Sequence, residues 1–119
     1  MQDITIGRIW DVTTPPIFRV LVDRLWPRGV SKADAPWDEW VKDVAPSTGL
    51  RQWYGHVPER FPEFRDRYWK ELSTEVNHES LNRLVQPAET QPLMLLTATK
   101  DVEWSHLPVL RDFLRGLWT

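Results

Sequence analysis

The sequence predicts an α/β domain: a small, mostly parallel sheet of about three strands covered by helices, in a Rossmann-like arrangement of two or three layers. Three observations predict it. Val20-Leu21-Val22 and Leu93-Met94-Leu95-Leu96-Thr97-Ala98 are largely apolar runs, as strands covered on both faces are. Between them the apolar residues recur at three- and four-residue spacing, the period of helices. A long helical crossover of that kind joins parallel neighbours, so these two strands should lie side by side.

Taken in order, Ile4, Ile6 and Ile9 form a short β-compatible stretch ending near Trp10, and Thr13-Thr14-Pro15-Pro16 separates it from a second strand over Phe18–Asp23. That link is only a little longer than a hairpin needs. The first strand is therefore either an antiparallel edge or a tightly linked parallel neighbour. Trp37, Trp40, Val41 and Val44 share a helical face, with Asp34 as N-cap and Pro36 in the first turn. Leu50, Trp53 and Tyr54 give a short helix after an N-capping Ser47, closed by Gly55. Phe61, Phe64, Tyr68 and Leu72 mark a third helix, and Leu81, Leu84 and Val85 a fourth. The strand from Leu93 follows Pro92, and a final helix carries Leu107, Leu110, Leu114, Leu117 and Trp118, with Ser105 as N-cap and Pro108 in its first turn.

The 119 residues form one domain, 1–119, with 15 Lys and Arg against 17 Asp and Glu and a formal charge of -2. That balance argues against binding nucleic acid by general charge. The absence of cysteine excludes thiol nucleophiles, disulfides and thiolate metal sites. No run approaches the ~20 apolar residues of a membrane span, and Met1-Gln2-Asp3 opens no signal peptide, so the expected location is cytoplasmic. His56, His78 and His106 have no metal-ligand spacing, and no Gly-rich phosphate loop or nucleophile elbow is present. No metal and no cofactor are expected.

Ligands of open α/β sheets collect beyond the carboxyl ends of the strands. Here the second strand runs into Asp23-Arg24-Leu25-Trp26-Pro27-Arg28-Gly29, and the distant one into Thr99-Lys100-Asp101. Parallel pairing would bring these ends together. From Arg19 to Lys32 there are four basic residues and one acid. Arg24, Arg28 and Lys100 would hold an anionic group, Trp26 would offer a flat wall, and His106 would face the strand ends. Asp23 and Asp101 are the candidate acid/base pair, if one is desolvated and the other held by a cation. The simpler reading makes the same charges ion pairs, and makes most of the eight tryptophans core. The rival function is a non-catalytic module that binds protein or single-stranded nucleic acid through the basic loop. An oligomer joined through Trp10 or Trp118 is a third possibility.

The run from Arg19 to Lys32, RVLVDRLWPRGVSK, followed by Trp40-Val-Lys-Asp-Val-Ala-Pro-Ser47, Leu50-Arg-Gln-Trp53, Gly55-His56 and Phe64-Arg-Asp-Arg-Tyr-Trp-Lys-Glu-Leu72, closely resembles the YeaO-like family of bacterial and archaeal proteins of unknown function. The resemblance implies a small α/β domain and brings no established substrate or cofactor. Beyond the Asp23–Gly29 run it marks Lys42, Pro46, Ser47, His56, Tyr68, Lys100 and Asp101. Thr97 and Ser105 depart from it, standing where a tyrosine and an asparagine are usual.

Overall fold

The computed structural model describes residues 3–11 and 17–117. Among the described residues four strands form one all-parallel sheet: β1 (Ile4–Arg8), β2 (Phe18–Leu21), β3 (Glu39–Trp40) and β4 (Leu93–Thr97), in the spatial order β1-β4-β2-β3. The two apolar runs are adjacent, with Val20 opposite Leu95 and Leu21 opposite Leu96. β1 is a parallel edge strand, but its neighbour is β4 and not β2, in register Ile4 with Leu93 through Arg8 with Thr97. The link before Phe18 and the predicted Trp118 contact lie outside the described residues.

The helices are α1 (Thr48–Tyr54), α2 (Phe61–Leu72), α3 (His78–Ala88) and α4 (Leu107–Gly116). Alternation along the strands divides the core in two. Val20, Val22, Leu93 and Leu95 face a cluster shared with Leu50, Tyr54, Phe64, Tyr68, Leu84, Leu110 and other residues of all four helices. Leu21, Met94 and Leu96 face the other way, against Ile9, Val30 and Trp37, with Trp26 and Trp40 alongside. The helices thus form one layer, and a tryptophan-lined loop covers the opposite face.

That loop corrects the helix expected from Trp37 to Val44. The segment instead makes the two-residue strand β3, which pairs with Val20 and Leu21, and then a 3-10 turn over Lys42–Val44. The physical reason is the second sheet face. Trp26 packs edge-on against Trp37 and Trp40 at 4.9 and 5.3 Å, and the Trp40 indole N–H donates to Asp23 O at 2.7 Å. Asp34 caps no helix; it closes a turn with Ser31.

Ser47 is the N-cap of α1, its Oγ accepting from Leu50 N at 3.2 Å, and Gly55 ends the helix in the left-handed conformation at φ 52°. At the chain end, the α-helix runs from Leu107 with His106 before it in helical conformation, and Ser105, still extended at φ -87°, supplies the capping side chain. Its hydroxyl accepts from Leu107 N at 3.2 Å and donates to Val102 O. Leu107, Leu110 and Leu114 are buried as their spacing requires, whereas Leu117 is half exposed.

The two leucines flanking the end of β2 differ sharply: Leu21 is fully buried and Leu25 is 61% exposed. Leu21→Ala should cost about 2–5 kcal/mol and Leu25→Ala less than about 0.5 kcal/mol, measured by urea unfolding.

Candidate functional site

Asp23 stands two residues beyond β2 and ties that strand end to the end of β4. Its Oδ2 accepts the Ala98 N–H at 2.8 Å, across 75 residues of sequence. Its other oxygen, Oδ1, is buried without a hydrogen bond and lies 3.6 Å from His106 Nε2. That nitrogen is 2.9 Å from Val22 O, and a carbonyl can only accept, so Nε2 carries the proton of the neutral ring. Tyr68 supports the ring edge-on, and its own hydroxyl donates to Val44 O at 2.5 Å.

Arg24 follows in the same turn and is half-buried. Its guanidinium donates to Pro46 O at 3.1 Å and to Ala45 O at 2.9 Å, strapping the chain that leads into α1 onto the end of β2. A second clamp acts on the same segment. Glu71 of α2 accepts from both the Ser47 N–H, at 2.9 Å, and the Ser47 hydroxyl, at 2.6 Å.

These ties enclose a cavity of about 230 Å³. The strand-end loops supply Asp23, Arg24, Trp26 and Thr99. α1 and its end supply Arg51, Tyr54 and His56, and α2 supplies Phe64. Ser105 and His106 close it from the α4 side. Arg51 and His56 are exposed at the rim, and His56 is a non-glycine residue held at φ 58°, directly after Gly55.

The structure therefore brings Asp23, Arg24, Trp26 and His106 to one cavity and leaves Arg28, Lys100 and Asp101 outside its wall. Arg28 is exposed beside Gly29, which turns the chain at φ 77°. Lys100 and Asp101 are exposed on the loop after β4, so Asp23 has His106 as its close titratable neighbour. Trp26 makes T-shaped contacts with Trp37 and Trp40 and gives its N–H to Val30 O at 2.5 Å. Arg51, Tyr54 and Phe64 are wall residues absent from the expected site, although Arg51 and Phe64 lie in the runs that carry the family resemblance. Their available signal was position, since α1 begins at the segment that Arg24 holds. Among the described residues no cluster of three or more His, Cys, Asp or Glu could hold a metal ion. No described helix is long and apolar enough to cross a membrane.

A small α/β protein with a polar-rimmed cavity at its strand ends is the class that fold and geometry define. The family model described as the "Inactive DUF488-N3 subclade" matches residues 3–119, and the chain belongs to that family. It is 44% identical over 101 residues to the uncharacterised protein YeaO of Escherichia coli K12, covering 84% of this chain and 85% of that one. It is also 42% identical over 114 residues to an uncharacterised protein of Mycobacterium tuberculosis H37Rv, covering 95% and 94% of the two chains, and equally to one of Mycobacterium bovis. No solved structure matches.

Burial pulls the His106 pKa below the ordinary 6.5; Asp23 and the Val22 hydrogen bond oppose this, while the charges of His56 and Arg51 add to it. Below pH 6.5 the unfolded chain accordingly takes up a proton that folded His106 resists. Stability is fully present above that pH and falls as pH drops toward the folded value. Urea midpoints should decline from pH 7 toward pH ~5, and His106→Gln should flatten the decline. Arg24→Ala should cost about 1–3 kcal/mol in the same assay, and exposed Arg28→Ala less than about 0.5 kcal/mol.

Proposed function

We propose that this chain is a binding protein for a small anionic compound, of phosphorylated or nucleotide-like character, seated in the cavity at the carboxyl ends of β2 and β4. The observation that carries the reading is the convergence of Arg51, His56 and His106 on one small cavity with aromatic walls. Cationic and imidazole groups select an acidic substituent, while Tyr54, Phe64 and Trp26 offer apolar surface to a ring. The volume, just below the ~300 Å³ at which drug-sized pockets begin, favours a compact ligand over a polymer.

Binding without turnover is the form of the proposal. Asp23 commits one oxygen to Ala98 N and His106 commits Nε2–H to Val22 O, so both groups serve the fold before they serve a reaction. The word "Inactive" in the family description supports the same choice. Hydrolysis or group transfer by Asp23 with His106 is the rival within this site, and turnover of a bound compound by the wild type would establish it. A protein- or nucleic-acid-binding module is the rival outside it, drawing on exposed Arg28 and Lys100.

A thermal-shift panel of phosphorylated sugars, nucleotides and short oligonucleotides tests the proposal. At a hundred times its dissociation constant a ligand adds about 2.7 kcal/mol, a rise of several degrees for a domain of this size. One small-molecule class should stabilise the wild type and Arg28→Ala alike and leave folded Arg51→Ala almost unmoved. Stabilisation by oligonucleotides alone, lost with salt, would replace it with the nucleic-acid reading.

A further inference from the structure

His106 occupies a fork. Its Nε2–H donates to Val22 O at 2.9 Å, and the orphaned Oδ1 of Asp23 waits 3.6 Å away. The ring's other nitrogen caps nothing in α4 and has no hydrogen bond among the described residues. Since the imidazole is part of the cavity wall and Nε2 turns inward, Nδ1 is the polar atom it can offer a ligand. A neutral ring offers only a lone pair there, which repels an oxyanion; a protonated ring offers a donor.

We infer that the cavity receives an oxyanion at Nδ1 of His106, and that a proton taken from solvent onto Nδ1 enters together with the ligand. This rests on the binding site proposed above and adds the receiving atom and the coupling. The charge balance is local. In the bound state Nδ1–H donates to the ligand oxygen, while Nε2–H stays on the ring, within reach of both Val22 O and the Asp23 carboxylate. The buried cation thus lies between two anions, and the carboxylate oxygen that lacked a partner gains one.

The groups that face His106 define when this happens. Asp23, from the turn after β2, favours the cation, whereas Arg51 and His56, from α1 and its end, disfavour it. Tyr68 of α2 lies against the ring and keeps its proton, its pKa raised well above 10.0 by burial first and by Glu71 next. In the empty cavity the repulsion and the loss of water prevail. An oxyanion offsets the charges of Arg51 and His56 and tips the balance toward the imidazolium. The ligand class is therefore the anion of a strong acid, such as a sulfate or phosphate ester, whose charge persists where His106 titrates.

Histidine NMR titrations of the full chain test this, with sodium sulfate as probe, because sulfate itself exchanges no proton in this range, and sodium chloride at equal ionic strength as control. His106→Gln identifies the signal, and exposed His78 serves as an internal reference. Without sulfate the His106 midpoint should lie below 6.5; with saturating sulfate it should move above 6.5 while His78 stays in place. In Asp23→Asn the sulfate-induced rise should shrink or vanish. Sulfate that shifts the amides of Thr99 and His106 and leaves the His106 midpoint below 6.5 would overturn the proton coupling and leave the binding site standing. Sulfate that moves no cavity signal would overturn the oxyanion site itself, whatever the Asp23 variant does.

Discussion

The Asp23–Ala98 hydrogen bond is the contact on which the rest of the site depends. β2 and β4 are parallel neighbours whose ladder continues past β2 in the Val22 N–H bond to Leu96 O at 3.1 Å. Beyond that point the two chains diverge, one toward the tryptophan loop and the other toward α4. A carboxylate bound to an amide at 2.8 Å holds the divergence to a fixed width. That width sets where His106 sits, because its ring hangs on Val22 O. It also sets where Trp40 sits, because its indole hangs on Asp23 O. One residue thereby links both faces of the sheet to the floor of the cavity.

Two further ties carry the order outward. Arg24 strapped to Ala45 and Pro46, and Glu71 clamped on Ser47, fix the start of α1. The helix then brings Arg51 and Tyr54 to the cavity, and the Tyr54 hydroxyl returns to Trp104 O at 2.6 Å, joining this wall to the loop before α4. The Arg24 straps and the Glu71 clamp are charge-assisted hydrogen bonds. They spend charged side chains on architecture, which is why a basic turn in the sequence yields so few free cations at the site. Arg24 is the clear case: a residue with the chemistry of an anion clamp that gives its Nε and Nη2 donors to backbone carbonyls.

Much of the fold was legible because burial on two faces leaves a direct trace. Val20-Leu21-Val22 and Leu93 to Leu96 read as strands covered on both sides, and α2 and α4 followed from apolar spacing. Legibility failed where the covering layer was not a helix. Trp37, Trp40, Val41 and Val44 have helical spacing, yet they pack as a loop because indoles filling the face behind Leu21 and Leu96 outweigh local periodicity. At the site, Asp23, Arg24, Trp26 and His106 were legible from the rule that strand ends gather ligands, whereas Arg28, Lys100 and Asp101 share that neighbourhood in sequence but lie outside the wall. His56 was marked by the family resemblance and Arg51 lay in one of its runs, but neither was placed at the strand ends, because only the straps on α1 bring them there.

The central claim, that Asp23 fastens the two strand ends into one floor, is tested most directly by amide hydrogen exchange at Ala98. Ala98 is an exposed residue, so its N–H should exchange quickly unless the carboxylate holds it. The Ala98 amide should be protected in the wild type and fast in Asp23→Ala, with Leu95 and Leu96 at the sheet centre protected in both. An Ala98 amide that exchanges at loop rates in the wild type, while Leu95 and Leu96 remain protected, would contradict it.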